Sequence, residues 1–311
     1  MSISSNVTPI SGIAPPARRP GIRLDRGLVW AFVGMLGFSL TLTATRAAVG
    51  EMNSLLVGFG RAVVAAALAL SVLWFRGEAL PERRHLGPLA RTALGVVIGF
   101  PALSALALRS VPASHAQVFL GLSPIATAAM AVLRAGERPP RAFWLSALAG
   151  AASIAVFGWF SAGNGVRAAD LLLVLAVLLV GFGYAEGGQL ARELGGLRVV
   201  SWALVIALPV TVPVSIWSLL HASVAHVSLR AWSGFAYVSV ISMYLAFVAW
   251  YRGLGLGKIA QLSQVQLAMP VLGVCWAALL LHERLALPTL LSGAAVIVCS
   301  LLAQRSRAYG R

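Results

Sequence analysis

The chain has 311 residues, 59% of them hydrophobic and 11% charged, and its 24 Lys and Arg against 9 Asp and Glu give a formal net charge of +15. Soluble domains carry about 25% charged residues, so that balance excludes one. The mean hydropathy is +0.88, and apolar runs of about 20 residues, enough to cross a bilayer, recur along the chain.

Residues 1–27, with Ser, Pro and four Arg, are predicted to be a disordered tail. A cleaved signal peptide is not expected, because the apolar run that follows is too long for one. Five spans follow, at Leu28–Val49, Ser54–Phe75, Leu86–Leu108, Pro112–Leu133 and Ala142–Phe160. Five more are predicted at Leu171–Leu190, Val199–Leu220, Ala231–Tyr251, Ile259–Leu281 and Leu285–Leu302, before a tail at 303–311. The connections are too short to hold an inserted soluble domain. Cys275 and Cys299 both fall in apolar runs and imply no disulfide framework.

The two halves repeat one pattern. Around Pro124 the chain reads AQVFLGLSPIATAAMAVLRAGERPP, and around Pro270 it reads AQLSQVQLAMPVLGVCWAALLLHERLALP. In each, Glu-Arg stands thirteen residues after the proline (Glu137-Arg138 and Glu283-Arg284), and a glycine (Gly150, Gly293) opens the next apolar run. Fixed-period self-similarity marks a duplication, with repeats at 28–160 and 171–302. Five helices per repeat is odd, so the second copy enters the membrane inverted. The predicted fold is therefore all-α and polytopic, with ten transmembrane helices in two inverted five-helix repeats, an arrangement suited to alternating access.

Basic residues orient the chain. With a cytoplasmic N-terminus, 18 Lys and Arg lie on the cytoplasmic side, 5 lie outside (Arg46, Arg109, Arg167, Arg230 and Arg284), and Arg61 lies within a span. Both termini are thus expected in the cytoplasm. Dispersal of the arginines over many short loops argues against a nucleic-acid partner.

These motifs, in their order and duplication, carry a family resemblance over the whole chain after residue 27. The first half has ATRAAVGEMNSLLVGFGRAVVAAAL, with Arg46 ending the first helix and Arg61 in the second, then ALRSVPASHAQVFLGLSPI and a Gly-Glu-Arg turn. The second has YRGLGLGKIAQLSQVQLAMP and His-Glu-Arg. The chain resembles the EamA group of the drug/metabolite transporter superfamily, and within it the YddG-type exporters of aromatic amino acids. That resemblance implies a bacterial inner-membrane exporter of small amino acids, aromatic or neutral. The alternative cargo is another small organic metabolite or a drug-like cation. No cofactor is expected; the partners are the small-molecule substrate and the lipid bilayer, with a monomer compatible with the sequence.

Pro124 and Pro270 fall near the middle of spans 4 and 9, where each removes a helical hydrogen bond. They kink the helices either for packing or along a pathway, and their symmetry favours the pathway. Polar groups within spans are costly in lipid and usually face a cavity or a partner. His115 and Gln117 open span 4, and Gln261, Ser263, Gln264 and Gln266 open span 9. Phe100, Tyr184, Met243 and Tyr244 form a candidate wall for an aromatic ring, with Thr41 and Ser104 as hydroxyl candidates. Each is also explicable as core packing or helix capping. Trp30, Trp74, Trp144, Trp159 and Trp217 near span ends suit interfacial anchoring.

Arg61 can snorkel or pair with Glu51 or a carbonyl; the resemblance, in which an Arg commonly stands here, implies a structural or gating role rather than direct substrate contact. Glu137-Arg138 and Glu283-Arg284 are expected to fix helix turns. Glu186 is the only carboxylate expected well inside a span, near the inner mouth and solvated. With no second embedded carboxylate and none in the first span, movement down the substrate gradient is expected rather than obligatory proton exchange. No metal-ligand spacing, paired nucleophile and base, or phosphate-binding loop points to an enzyme, and no charged ring or filter points to a channel.

The arginine asymmetry predicts that single cysteines at Ser4 and Gly163, in a background lacking Cys275 and Cys299, label from opposite sides with an impermeant thiol reagent. Labelling from the same side would overturn the inverted repeat.

Overall fold

The structure is a computed structural model that describes residues 26–135, 141–161, 167–222, 226–256 and 262–309. All regular secondary structure among them is helical. Eight helices are long and apolar enough to cross a membrane: α1 Arg26–Val49, α2 Ser54–Phe75, α3 Arg83–Ala107, α4 Ala113–Leu133, α5 Arg141–Phe160, α6 Ala168–Leu194, α7 Gly196–Leu220 and α8 Leu229–Leu256. Two shorter apolar helices, α9 Val265–Leu281 and α10 Leu287–Leu302, stand where spans 9 and 10 are expected. The expected start of span 9, Ile259, lies outside the described residues.

Helices α3, α6 and α8 extend past their expected ends. Apolarity stops at charged residues, whereas backbone hydrogen bonding continues through Arg83, Asp170 and Glu193. Asn53 starts α2 by accepting from the N–H of Leu55 at 2.8 Å, a capping bond of about 1 kcal/mol. The tail at 1–25, the Glu137-Arg138 turn and Gln261 lie outside the described residues.

Several helices depart from α geometry near mid-length. In α1 the run Arg26–Ser39 stops at Leu40 and resumes as Thr41–Val49. In α4 Ala113–Leu120 stops at Gly121 and resumes as Ser123–Ala135, so Pro124 stands in the first turn of the second piece, where a missing N–H is tolerated. Ser300 on α10 donates to the Gly121 carbonyl at 3.0 Å, satisfying an acceptor at the break. Pro270 occupies the matching place, in the first turn after the 3-10 segment Ser263–Leu267. The breaks thus precede both prolines by about a turn. Helices α3 and α8 each carry a π-helical stretch, Ala93–Gly99 and Tyr237–Ala246. Such segments are rare and concentrate at functional sites.

Packing is mostly between the halves. Helix α2 lies along α7, α5 along α10, α4 along α9, α1 along α8 and α3 along α6. Exchanging each helix of the first five with the one five places later leaves these main pairs unchanged. Helices α5 and α10 are peripheral and turn apolar side chains outward, among them Leu145, Leu148, Leu291 and Val298. Trp74, Trp144, Trp159 and Trp217 are exposed, as anchors would be, whereas Trp30 lies under the Arg252 guanidinium at 4.3 Å.

Close helix approach depends on missing side chains. A Cβ on Gly34 would lie 2.7 Å from the Trp250 nitrogen and 2.8 Å from the Ala246 carbonyl oxygen, both backbone atoms. A Cβ on Gly293 would meet nothing within 4 Å. Gly34→Ala must therefore separate α1 from α8 and is expected to destabilise by about 1–3 kcal/mol, while Gly293→Ala costs nothing. Thermal unfolding of the purified variants checks this; equal melting temperatures would contradict the α1–α8 packing.

Candidate functional site

A cavity lies where α1, α2, α3, α4, α6, α8 and α9 converge, at the level of the helix breaks. The two pieces of α1 contribute Phe38 and Thr41 on either side of the Leu40 break. The π-helical turn of α3 and the residue after it bring Val96 and Phe100, and that of α8 brings Ser242 and Met243, followed by Phe247. Leu120 borders it just before the α4 break, and Met269 stands just before Pro270. The walls are thus largely aromatic and methionine, soft surfaces suited to flat apolar groups. Tyr184 joins the walls from α6, with its ring centroid 6.2 Å from Phe38 and 5.4 Å from Trp250. Among the described residues the polar groups are few: Thr41 and Ser242, whose hydroxyls pair at 2.8 Å, the Tyr184 phenol and Arg61. The volume open to water is about 20 Å³, room for about one water molecule and no organic solute.

Of the residues singled out in the sequence, Thr41, Phe100, Tyr184, Met243 and Arg61 meet in this cavity. Gln261 lies outside the described residues, and among the described ones the other candidates do not border the cavity. Ser104 turns back to the Pro101 carbonyl of its own helix at 3.3 Å. The Tyr244 hydroxyl meets Ser201 on α7 at 3.2 Å. Gln117 is buried beside Gly273, one turn from the cavity, and neither amide atom has a hydrogen-bond partner. Gln264 falls in the 3-10 segment Ser263–Leu267, which runs into the start of α9.

Charged residues depart most from expectation. Arg61 neither snorkels nor meets Glu51; its side chain is 1% exposed, and its Nε and Nη2 have no hydrogen-bond acceptor. Glu186 is buried rather than solvated and accepts from Arg91 Nε at 2.8 Å. It is also not the only embedded carboxylate. Asp170, in the first turn of α6, is buried and bonded to His115 Nε2 at 2.7 Å. His115 in turn packs against Phe119 and Phe157, away from the cavity. Asp170 stands at the edge of an apolar run, and only its pairing with His115 across 55 residues reveals burial. Phe38, Ser242, Phe247 and Met269 were not among the expected binding residues, because breaks and π turns leave no periodic signal.

Polar ties join the two halves at both ends of the bundle. At one end Glu283 accepts from the N–H groups of Ala113 and Ser114 at 2.8 and 2.9 Å, capping α4 where a carboxylate complements the helix dipole. It thus ties α4 to the α9–α10 connection rather than fixing only its own turn. Glu51 accepts from the Ser228 N–H and hydroxyl, both at 2.7 Å, and these bonds hold its carboxyl below the usual range. Between these groups lies a wider cavity of about 330 Å³, bordered also by Arg46 and Arg230. At the opposite end Glu78 pairs with Arg198 and Arg76, and the bond from Arg198 is the main reason its carboxyl is lowered. There Glu193 also meets His85 at 3.2 Å. A lowered carboxyl pKa contributes its stability above the unfolded value of about 4.3 and loses it as the pH falls through the folded value, so the Glu51 and Glu78 ties weaken only in acid.

Comparison with known proteins agrees with this geometry. The EamA-like transporter family model matches twice, at residues 25–159 and 167–303. The chain is 41% identical over 283 residues to the uncharacterized transporter YdeK of Bacillus subtilis (strain 168), covering 91% of this chain and 98% of that protein. A solved crystal structure at 17% identity superposes with a TM-score of 0.63 over 91% of this chain and 97% of the other, which shows a shared fold. The chain therefore belongs to the EamA-like transporter family and is a polytopic membrane transporter, not an enzyme.

Proposed function

We propose that this transporter exports small amino acids, aromatic or neutral, by alternating access through the central cavity of a ten-span, inverted 5+5 repeat in a bacterial inner membrane, with both termini cytoplasmic. The observation that carries the reading is the cavity itself, set between the halves and walled by Phe38, Phe100, Tyr184, Phe247, Met243 and Met269. Those walls match the apolar side chain of such a cargo. The inverted repeat is supported by helix pairs that survive exchange of the halves, by a π-helical stretch in the third helix of each half, and by the twofold family match.

A cavity with room for about one water fits a step of such a cycle in which no cargo is held. Opening toward one side requires loss of the Glu283 and Glu51 ties, and opening toward the other requires loss of the Glu78, Glu186 and Glu193 pairs. Helices that bend at existing breaks can separate at one end without unfolding.

In proteoliposomes, labelled phenylalanine and leucine are expected to show saturable flux with countertransport. Tyr184→Ala or Met243→Ala should lower it about tenfold or more at unchanged membrane abundance, as loss of shaped binding surface does. Val156→Ala, on the outward face of α5, should change it little. Equal losses at all three positions, or no amino-acid flux in wild type, would defeat the reading.

Movement is proposed to run down the substrate gradient. Both embedded carboxylates are engaged, Glu186 by Arg91 and Asp170 by His115, and neither borders the cavity. An imposed pH gradient is therefore expected to drive no accumulation. Accumulation abolished by Glu186→Gln or Asp170→Asn would instead identify that residue as a proton carrier.

A further inference from the structure

We propose that Arg61 is the anion-binding group of the central cavity and that the solute held there carries a carboxylate. The proposal rests on the reading of this cavity as the cargo site, and it adds a chemical requirement on the cargo.

Arg61 lies seven residues into α2 from Ser54, roughly 10 Å along the helix axis, and its side chain is 1% exposed. A guanidinium keeps its proton. Burying it without a counter-ion costs several kcal/mol, so a buried arginine is normally found beside a carboxylate. Here Nε and Nη2 have no acceptor at all. Among the described residues, no Asp or Glu borders the cavity. Glu51, the nearest described carboxylate in sequence, is committed to Ser228, and the buried Glu186 and Asp170 are committed to Arg91 and His115. One water could accept a hydrogen bond from Arg61, but it cannot neutralise the charge.

A ligand can supply what the protein does not. The guanidinium offers parallel N–H donors in a planar fork, which a carboxylate accepts bidentately. In the Thr41–Ser242 pair one hydroxyl donates to the other, leaving one O–H as a further donor. Apart from the Tyr184 phenol, the other described residues around the cavity are apolar, so the matching solute has a carboxylate at one end and a flat or aliphatic body at the other. The same unpaired charge repels cations, in a low-dielectric setting where repulsion is strong. This geometry favours amino acids over drug-like cations, and it extends to carboxylates that lack an amino group.

The test is binding of three probes that share a phenylpropyl skeleton to the full-length protein in nanodiscs, measured by calorimetry: 3-phenylpropionate, its isosteric amide 3-phenylpropionamide, and 3-phenylpropylammonium. Wild type should bind the carboxylate about tenfold or more tightly than the amide, and the ammonium not measurably. Arg61→Gln should bring the carboxylate down to the affinity of the amide while leaving the amide unchanged, and Arg61→Lys should keep part of the preference. Equal affinity for all three probes in wild type, no binding of any, or a preference that survives Arg61→Gln would overturn the proposal. The wild-type comparison decides even if the variants fail to fold. A carboxylate preference without amino-acid flux would retain the anion site and reject the amino-acid reading. Amino-acid flux without the preference would do the reverse.

Discussion

Lipid offers no hydrogen bonds, so each polar group within the spans must find its partner in the protein or remain without one at a cost. Much of this bundle follows from that constraint. Asp170 reaches His115, Glu186 reaches Arg91, Tyr251 donates to the Gly183 carbonyl, and Ser300 covers the carbonyl left at the α4 break. Each of these bonds joins helices far apart in sequence, and three of the four lie around α6. The polar groups therefore fix which helices are neighbours, while the apolar faces supply bulk. The exceptions then become informative. Thr211, Ser215 and Ser218 on α7 lack partners for their hydroxyls, a modest cost each. Arg61 and Gln117 lack partners at or beside the cavity, where a charge and a two-ended amide are far more expensive to leave bare.

Tight packing and mobility have to coexist in a carrier. Glycines let α1 touch α8 and α3 touch α6 through backbone, as where a Cβ on Gly95 would lie 2.5 Å from the Leu179 carbonyl oxygen. Such contacts make stiff pairs that move together. Departures from α geometry are concentrated instead at Leu40, at Gly121, in the 3-10 turn at the start of α9 and in the two π stretches, where backbone hydrogen bonding is already irregular. All five lie near the cavity level. Rigid pairs pivoting about pre-broken points need repack only the cavity walls, and methionine with aromatic side chains repack cheaply.

Apolar run lengths and the repeated proline-to-Glu-Arg spacing made the helical, duplicated character of the chain legible, because bilayer thickness and duplication both write themselves in long, regular signals. Thr41, Phe100, Tyr184 and Met243 could be picked out by aligning the two repeats, and the structure brings them together. What stayed hidden were facts of pairing and of backbone irregularity. Nothing local to Asp170 distinguishes a buried partner of His115 from a solvated span end. Nothing in YVSVISMYLA announces a π helix, since its apolar pattern suits an ordinary span equally well. Tyr244 and Met243 are adjacent, yet only the widened turn decides that Met243 faces the cavity and Tyr244 faces α7. Arg61 was visible as a charge inside a span, but its lack of a partner is a statement about every neighbouring helix.

The polar ties at the two ends differ in kind, and that difference bears on how the states exchange. At the end that holds Glu283 and Glu51, carboxylates accept largely from backbone N–H groups and a hydroxyl, so separation leaves charged groups that water solvates readily. At the other end the ties are ion pairs, Glu186–Arg91 and Glu78–Arg198, together with the His85–Glu193 contact. Exposed ion pairs are worth about 0–1 kcal/mol each and are weakened by salt, whereas the buried Glu186 makes its own pair harder to break. Under the proposed alternating access, opening at the ion-paired end is the step that ionic strength should influence most, and Glu186 is the contact that would resist it.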